Sequence, residues 1–273
     1  MERYNKTEIV GSQKPSSCFI FMKGGTSVKK GLLVAVLLFA VFIFASFEKE
    51  MNQLFYEARR DRDVAKMEWI IKTIEARSDL KSNSLLLTIL ADCYLEYGDW
   101  GVSKELKEKT LEQARKYAEE ALKLDGNNGR ASYVAGAAIG RLAQYKGIVQ
   151  SLFMLGDFDK YINRAISLLN ENDEEQRLYK TFALIASGMR YRDVPWPLND
   201  FKKSEELLLA AAQLTPNYPN VYLELGFLYL KTNKKDRARE MFQKVVVGEP
   251  HPLLVGTHRE AVKTAQEELE KLK

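Results

Sequence analysis

The residues best equipped for chemistry are His251 and His258, Cys18 and Cys93, and the acid pairs Glu119/Glu120, Glu174/Glu175, Glu205/Glu206 and Glu267/Glu268. Their spacing does not organise them into a reactive site. The histidines stand seven positions apart with Pro252 and Gly256 between them, which is no helical ligand pair, and a zinc site needs more ligands than that region offers. Adjacent acids on a helix point to different faces, so the glutamate pairs read as solvated surface rather than as general acid and base. The chain contains no GxxxxGK[ST], HExxH, CxxC or GxSxG, the signatures of phosphate cradles, zinc hydrolysis, dithiol chemistry and serine nucleophiles. No catalytic residue, metal or cofactor is expected, and the chain does not read as an enzyme. Cys18 precedes an apolar run and Cys93 lies inside a predicted helix. No bridge between them is expected, and Cys93 behaves as a small buried hydrophobe.

What remains is binding. The chain has 273 residues, 46% of them apolar and 29% charged, enough for a sizeable folded body. Its formal charge of +4 is concentrated at the front. Residues 1–47 carry six Lys/Arg against two Asp/Glu, leaving 35 of each sign for the rest. A body so balanced shows no basic stripe, and no nucleic-acid partner is expected.

From Leu32 to Phe47 run sixteen uncharged residues, with only Ser46 polar, preceded by Lys23, Lys29 and Lys30 and followed by Glu48 and Glu50. A positive-then-apolar order is that of an export signal. The length falls between a signal peptide's apolar part, about 7–15 residues, and a spanning helix of about 17 or more, so cleavage after Ala45 and retention as an anchor both stay open. Met22 opens a segment, MKGGTSVKK, that suits a signal peptide's start, so translation from Met22 rather than Met1 is the expectation. The preceding lysines keep that side in the cytoplasm and place everything after Phe47 outside. Two segments follow: 1–47 as a basic stretch with signal peptide or membrane anchor, and 48–273 as the folded body.

The body reads as all-α. Helical spacing recurs through it, with stops at Asp125, Asn127 and Asn128, at Asn170 and Asn172, at Pro216 and Asn217, and at Gly248 and Pro250. Val245–Val247 is its one β-branched cluster and falls at a helix end. Expected helices run over 130–146, with Gly136, Ala137, Ala138 and Gly140 on a small-residue face that admits another backbone, then over 158–170, 174–188 and 201–215. An irregular opening pair covers 48–77 with Ala65 and Trp69 in its second helix, and 258–272 forms a charged, solvent-facing closing helix. Gly98–Thr110 and Gln144–Gly156 are insertions, the second hydrophobic enough to form an extra short helix lying over a groove or another subunit.

Near the C-terminus, Tyr222, Leu225, Gly226, Tyr229, Ala238, Phe242 and Pro250 stand at the spacing of a tetratricopeptide helix pair. Leu90, Ala91 and Tyr94 with Ala114, Ala118 and Ala121, then Phe158, Ile162 and Ala165, then Ser204, Leu208, Ala211 and Pro216 repeat parts of the same pattern. Such units bury their apolar faces only by stacking. The expected fold is a tetratricopeptide-like α-solenoid of four to five helical hairpins with turn insertions and a C-terminal closing helix, preceded by a signal or anchor helix. Over residues 85–250, GRLAQYKG (140–147), YRDVPWPLND (191–200) and LLLAAAQLTPNYPNVYLELGFLYL (207–230) resemble a narrower group. That group comprises the T-component proteins associated with tripartite ATP-independent periplasmic transporters and the regulator-of-microtubule-dynamics proteins. The resemblance implies an extracytoplasmic binding protein without catalysis that partners another protein, such as a periplasmic solute-binding protein.

In such arrays the inner groove is lined by first-helix positions that correspond here to Asn220, Leu223, Phe227 and Leu230, with Tyr133 and Ala137 on the helix over 130–146. Three of the first four are apolar, so the residues that clamp a peptide carboxylate in co-chaperone members are absent. The groove either holds a small hydrophobic ligand or is filled by another helix of the same chain. The filled groove is favoured because Val221–Leu230 is apolar nearly all round apart from Glu224. Arg192 and Trp196, in a proline-flanked turn, form a second candidate surface facing a partner, although Trp196 packed over a neighbouring helix end is the plainer reading. Implied partners are another protein, a small hydrophobic ligand, the membrane through Leu32–Phe47 where uncleaved, and a second copy of the chain. The alternative function is a membrane-anchored intracellular assembly scaffold.

Overall fold

The structure, a computed structural model, describes residues 47–146 and 148–273. The apolar run and everything before it, Phe47 excepted, lie outside these residues, as do the expectations of a signal, an anchor and a start at Met22. No described helix is long and apolar enough to cross a membrane, and the described residues contain no strand.

Several helices start on a residue whose side chain caps them. Asn83, Asn128, Asp173 and Asp200 accept from the backbone N–H three positions on, at 2.9–3.0 Å, each cap contributing about 1 kcal/mol. The helices are α1 (47–61), α2 (Val64–Glu75), α3 (Ser84–Glu96), α4 (Lys104–Leu124), α5 (Gly129–Ala143) and α6 (Ile148–Leu168). They continue as α7 (Glu174–Asp193), α8 (Phe201–Leu214), α9 (Asn220–Lys231), α10 (Lys235–Val247) and α11 (Val255–Lys271). Helices α3/α4, α5/α6, α7/α8 and α9/α10 pack as hairpins, and α3, α5, α7 and α9 each touch the next in that series. These first helices form the inner layer of a stacked array.

Close approach within a hairpin depends on glycine. A Cβ at Gly136 would stand 2.7 Å from Ile162 Cδ1 and 3.2 Å from the Ile162 backbone nitrogen, so α5 and α6 meet there with no room for a methyl. The residues that mark the second helices, Ala114, Ala118, Ile162, Ala165, Leu208, Ala211, Ala238 and Phe242, are all buried.

Three expectations need correction. The Gly98–Thr110 insertion is mostly helical: a π-helical turn over Tyr97–Gly101 hands over to α4, which runs 21 residues. Gln144–Gly156 makes no separate short helix, because most of it is the front of α6, also 21 residues long. Inner-helix caps therefore fall at 83, 128, 173 and 219, a spacing of 45–46 residues against about 34 for the usual repeat. In the opening pair, Ala65 and Trp69 are exposed, since α2 turns Met67, Ile70, Ile71 and Ile74 inward, an i, i+3, i+4, i+7 stripe that packs on α3.

The closing helix covers Val255–Lys271 rather than 258–272 and is solvated on one side only. It buries Gly256, Ala261 and Ala265. Lys271 pairs with Glu268 at 2.6 Å, but Glu260 pairs with Arg62 at the α1–α2 turn. A Cβ at Gly256 would stand 2.8 Å from Arg62 Cγ, so the last helix of the array touches the first turn.

Candidate binding site on the inner face

The groove is partly filled from within. Helix α1 presents Met51, Phe55, Ala58 and Arg59, none more than 1% exposed, at i, i+4, i+7 and i+8. It reaches two inner helices directly and a third through Arg130. Asn52 accepts from Arg130 of α5 at 2.6 Å; Arg59 lies 5.8 Å from the Tyr179 ring and 5.6 Å from the Phe182 ring of α7; and Arg130, over the Phe55 ring at 5.1 Å, bonds Asp92 of α3.

Beyond α1 the inner face leaves a cavity of about 910 Å³, within the range of small-molecule and peptide pockets. Its floor is aromatic. Tyr133 of α5 stands 5.7 Å from Phe182 of α7, which meets Tyr218 edge-on at 5.5 Å. Ala137, Ile185 and Leu223 complete the apolar wall, while Arg62, Asp99, Arg141 and Glu260 contribute charge around it. Asn220 Oδ1, also on this wall, is buried with no hydrogen-bond partner, an acceptor free to meet a ligand's donor. Burial pushes the Glu224 carboxyl up, opposed by the Arg192 guanidinium beside it.

Of the six groove residues expected from the sequence, Tyr133, Ala137, Asn220 and Leu223 line this cavity. Phe227 and Leu230 do not. Phe227 turns onto Phe242 of α10 at 5.6 Å, and Leu230 packs against the apolar cluster of the C-terminal helices. The turn residues separate as well. Arg192 is buried, bonded to Glu224 of α9 at 2.7 Å and bidentately to Asp193 at 2.8–2.9 Å, so it clamps α7 to α9 and does not face a partner. Trp196 is 84% exposed and packs over no helix end. Phe153, in the front of α6, is 83% exposed. Each of these two aromatics is a chain neighbour of cavity-lining residues, Pro195 and Leu152/Met154 respectively, but neither lines the cavity itself.

The charged cluster under α1 has no counterpart in the sequence reading. Asp92 Oδ2 accepts from Arg130 Nε at 2.9 Å and from the Tyr179 hydroxyl; Arg130 Nη1 also donates to Glu175 at 3.0 Å. The legible signal was a charge set within an apolar helical stripe: Arg59 beside Phe55 and Ala58, and Asp92 in LLLTILADC. Buried charges occur where something pairs them. Cys93 is buried, and no group of three or more potential metal-ligating side chains occurs among the described residues.

Residues 49–180 match the family model for regulator of microtubule dynamics protein 1-3, and residues 219–246 match a tetratricopeptide repeat model. No curated protein matches the chain. The two matches, with the stacked hairpins and the small-residue contacts inside them, make this chain a tetratricopeptide-like helical-repeat protein.

Proposed function

We propose that the chain is a non-enzymatic binding protein whose inner cavity, with the exposed Phe153 and Trp196, takes a segment of another protein. The single observation that carries this is the cavity of about 910 Å³ left open beside α1, with Tyr133, Phe182, Tyr218 and Leu223 on its wall. Tetratricopeptide repeats suggest protein–protein interaction, and exposed aromatics and concave apolar pockets are the features that anchor such contacts. Unpaired Asn220 Oδ1 gives the pocket a polar fixing point for a backbone or side-chain N–H. A small hydrophobic ligand fits the same wall and is the competing occupant.

The location proposed is extracytoplasmic, supported by the lysine-flanked apolar run Leu32–Phe47. A solute-binding protein as the specific partner rests on the sequence resemblance over 140–147, 191–200 and 207–230. The alternative is an intracellular scaffold anchored by the same run. Cross-linking and pull-down from native membranes test the binding surface. Capture should fall at least tenfold for Leu223→Lys and for Trp196→Ala, and persist for Val247→Ala, an exposed position on α10. Equal capture by all three variants would refute the assignment. Protease added to intact cells reports the side of the membrane: digestion of the body supports export, and protection supports the scaffold.

A further inference from the structure

We propose that α11 is a movable wall of the inner cavity, rolling to widen its mouth, and that the ion pair between Arg62 and Glu260 is the latch that keeps it shut. The inference rests on the reading of that cavity as the binding site and concerns how an occupant gets in. Helices α5, α7 and α9 supply walls fixed inside the stack. Helix α11, the last of the chain, supplies another, turning Thr257, Glu260, Ala261 and Thr264 to the space at i, i+3, i+4 and i+7.

This wall is lightly held. On its packed side α11 buries Gly256, Ala261 and Ala265, small residues that each remove little apolar surface from water. Val262, Leu269 and Leu272 are only partly buried against the C-terminal cluster. The two ends are tied: Leu254 is buried and its N–H donates to the His251 carbonyl at 2.9 Å, while the Leu272 carbonyl accepts from Arg239 of α10 at 2.9 Å. A helix pinned at both ends over a smooth, small-residue contact moves by rolling and sliding rather than by swinging out. Few buried apolar contacts also place such an element at the low end of the range of opening free energies.

The latch comes from the other end of the chain. Arg62 sits in the α1–α2 turn with φ of 56°, a left-handed conformation uncommon for a residue with a side chain. The Asp63 N–H, donating to the Ala58 carbonyl at 2.9 Å, holds that turn. Gly256 gives the arginine room, since a Cβ there would stand 2.8 Å from Arg62 Cγ and 3.2 Å from the Arg60 carbonyl oxygen. Charges alternate across the gap. Glu260 pairs with Arg62, and the Asp61 carboxyl is held below the usual range by its hydrogen bond to Arg60 and, more weakly, by charges that include Arg259 of α11. The pair stands at the rim, its side chains 17% and 67% exposed, whereas Tyr133 and Tyr218 on the floor are buried. With the latch shut, Arg62 Nε is buried without an acceptor, a donor that regains water on opening. An ion pair this exposed holds only modestly, so shut and open forms lie close in free energy.

Labelling of a thiol placed in the cavity tests the latch without any ligand. In the full chain carrying Cys18→Ser and Ala137→Cys, the bulky reagent fluorescein maleimide should reach the introduced thiol when α11 has rolled. Cys93, buried and not among the cavity-lining residues, reports unfolding instead, and peptide mass spectrometry separates the two positions. Glu260→Gln removes the ion pair and should speed labelling in the cavity about fivefold at low salt, the change in equilibrium that one exposed pair supports. Raising salt from about 0.05 M to about 1 M should bring the chain that keeps Glu260 to a similar rate and leave the Glu260→Gln rate unchanged. Should Ala137→Cys not fold, Ala186→Cys places the thiol on the same cavity wall. Equal rates with and without Glu260→Gln, or equal acceleration at Cys93, would overturn the latch. Acceleration confined to the cavity thiol, together with partner capture indifferent to Leu223→Lys, would uphold the latch and remove only the reading of what it admits.

Discussion

The same substitution, glycine to alanine inside a helix, should act with opposite signs at Gly136 and Gly156. Alanine in place of glycine in a helix interior stabilises by about 1 kcal/mol, because the unfolded chain loses freedom and the helix does not. At Gly156, on α6, a new Cβ meets nothing within 4 Å, so that gain should appear in full. At Gly136 the Cβ would stand 2.7 Å from both Ile162 Cδ1 and Cγ1 and 3.2 Å from the Ile162 backbone nitrogen. The side chain is buried and the backbone atom cannot swing aside, so α5 and α6 must separate. Overpacking of this kind costs about 1–3 kcal/mol, which offsets the propensity gain and leaves a net loss of about 1 kcal/mol. Urea unfolding, compared at unchanged slope, should place Gly156→Ala above wild type and Gly136→Ala below it, about 2 kcal/mol apart. Adding Ile162→Val, which removes Cδ1, should return part of the loss. A Gly136→Ala protein as stable as Gly156→Ala would refute the claim that the hairpin closes on that glycine.

Burial holds the imidazoles of His251 and His258 below the usual histidine range, so the folded state takes up their protons later than the unfolded chain does. Stability from these groups is complete above the unfolded pKa of about 6.5 and declines as pH falls below it. The urea midpoint should drop between neutral and mildly acidic pH, less so in a His251→Asn/His258→Asn double variant; a midpoint that rises on acidification contradicts the burial. Burial also pushes the Cys93 thiol well up, leaving negligible thiolate. In a Cys18→Ser background iodoacetamide should label the chain only in denaturant, and native labelling at the denatured rate would show that Cys93 is accessible.

The helical hairpins were legible because the close contacts inside them tolerate few residue types. Gly226, Ala238, Ala118 and Ala165 sit where two backbones approach, and only small residues fit there. The inner-face geometry was only half legible. Spacing along α9 places Asn220, Leu223, Phe227 and Leu230 on one face, but it does not say where the neighbouring α10 draws Phe227 away onto Phe242. Arg192 read as a surface residue because its partner Glu224 lies 32 positions on, in another helix. The opening pair differs for another reason: Ala65 and Trp69 stand at repeat-like positions but on the exposed side, whereas Met67, Ile70, Ile71 and Ile74 carry the helical period of the buried stripe. That α1 occupies the groove was legible only as a groove too apolar to stand empty.

A stack of repeats held by nearest-neighbour contacts alone can fray from either end at little expense. Here the ion pair between Arg62 and Glu260, with Gly256 seated against Arg62, joins the first turn to the last helix, so the string of units is a loop with no loose end to peel. Exchange of amide hydrogens in α11 should then track that of α1, and weakening either end should quicken opening at the other, nearly two hundred positions away along the chain yet adjacent in space.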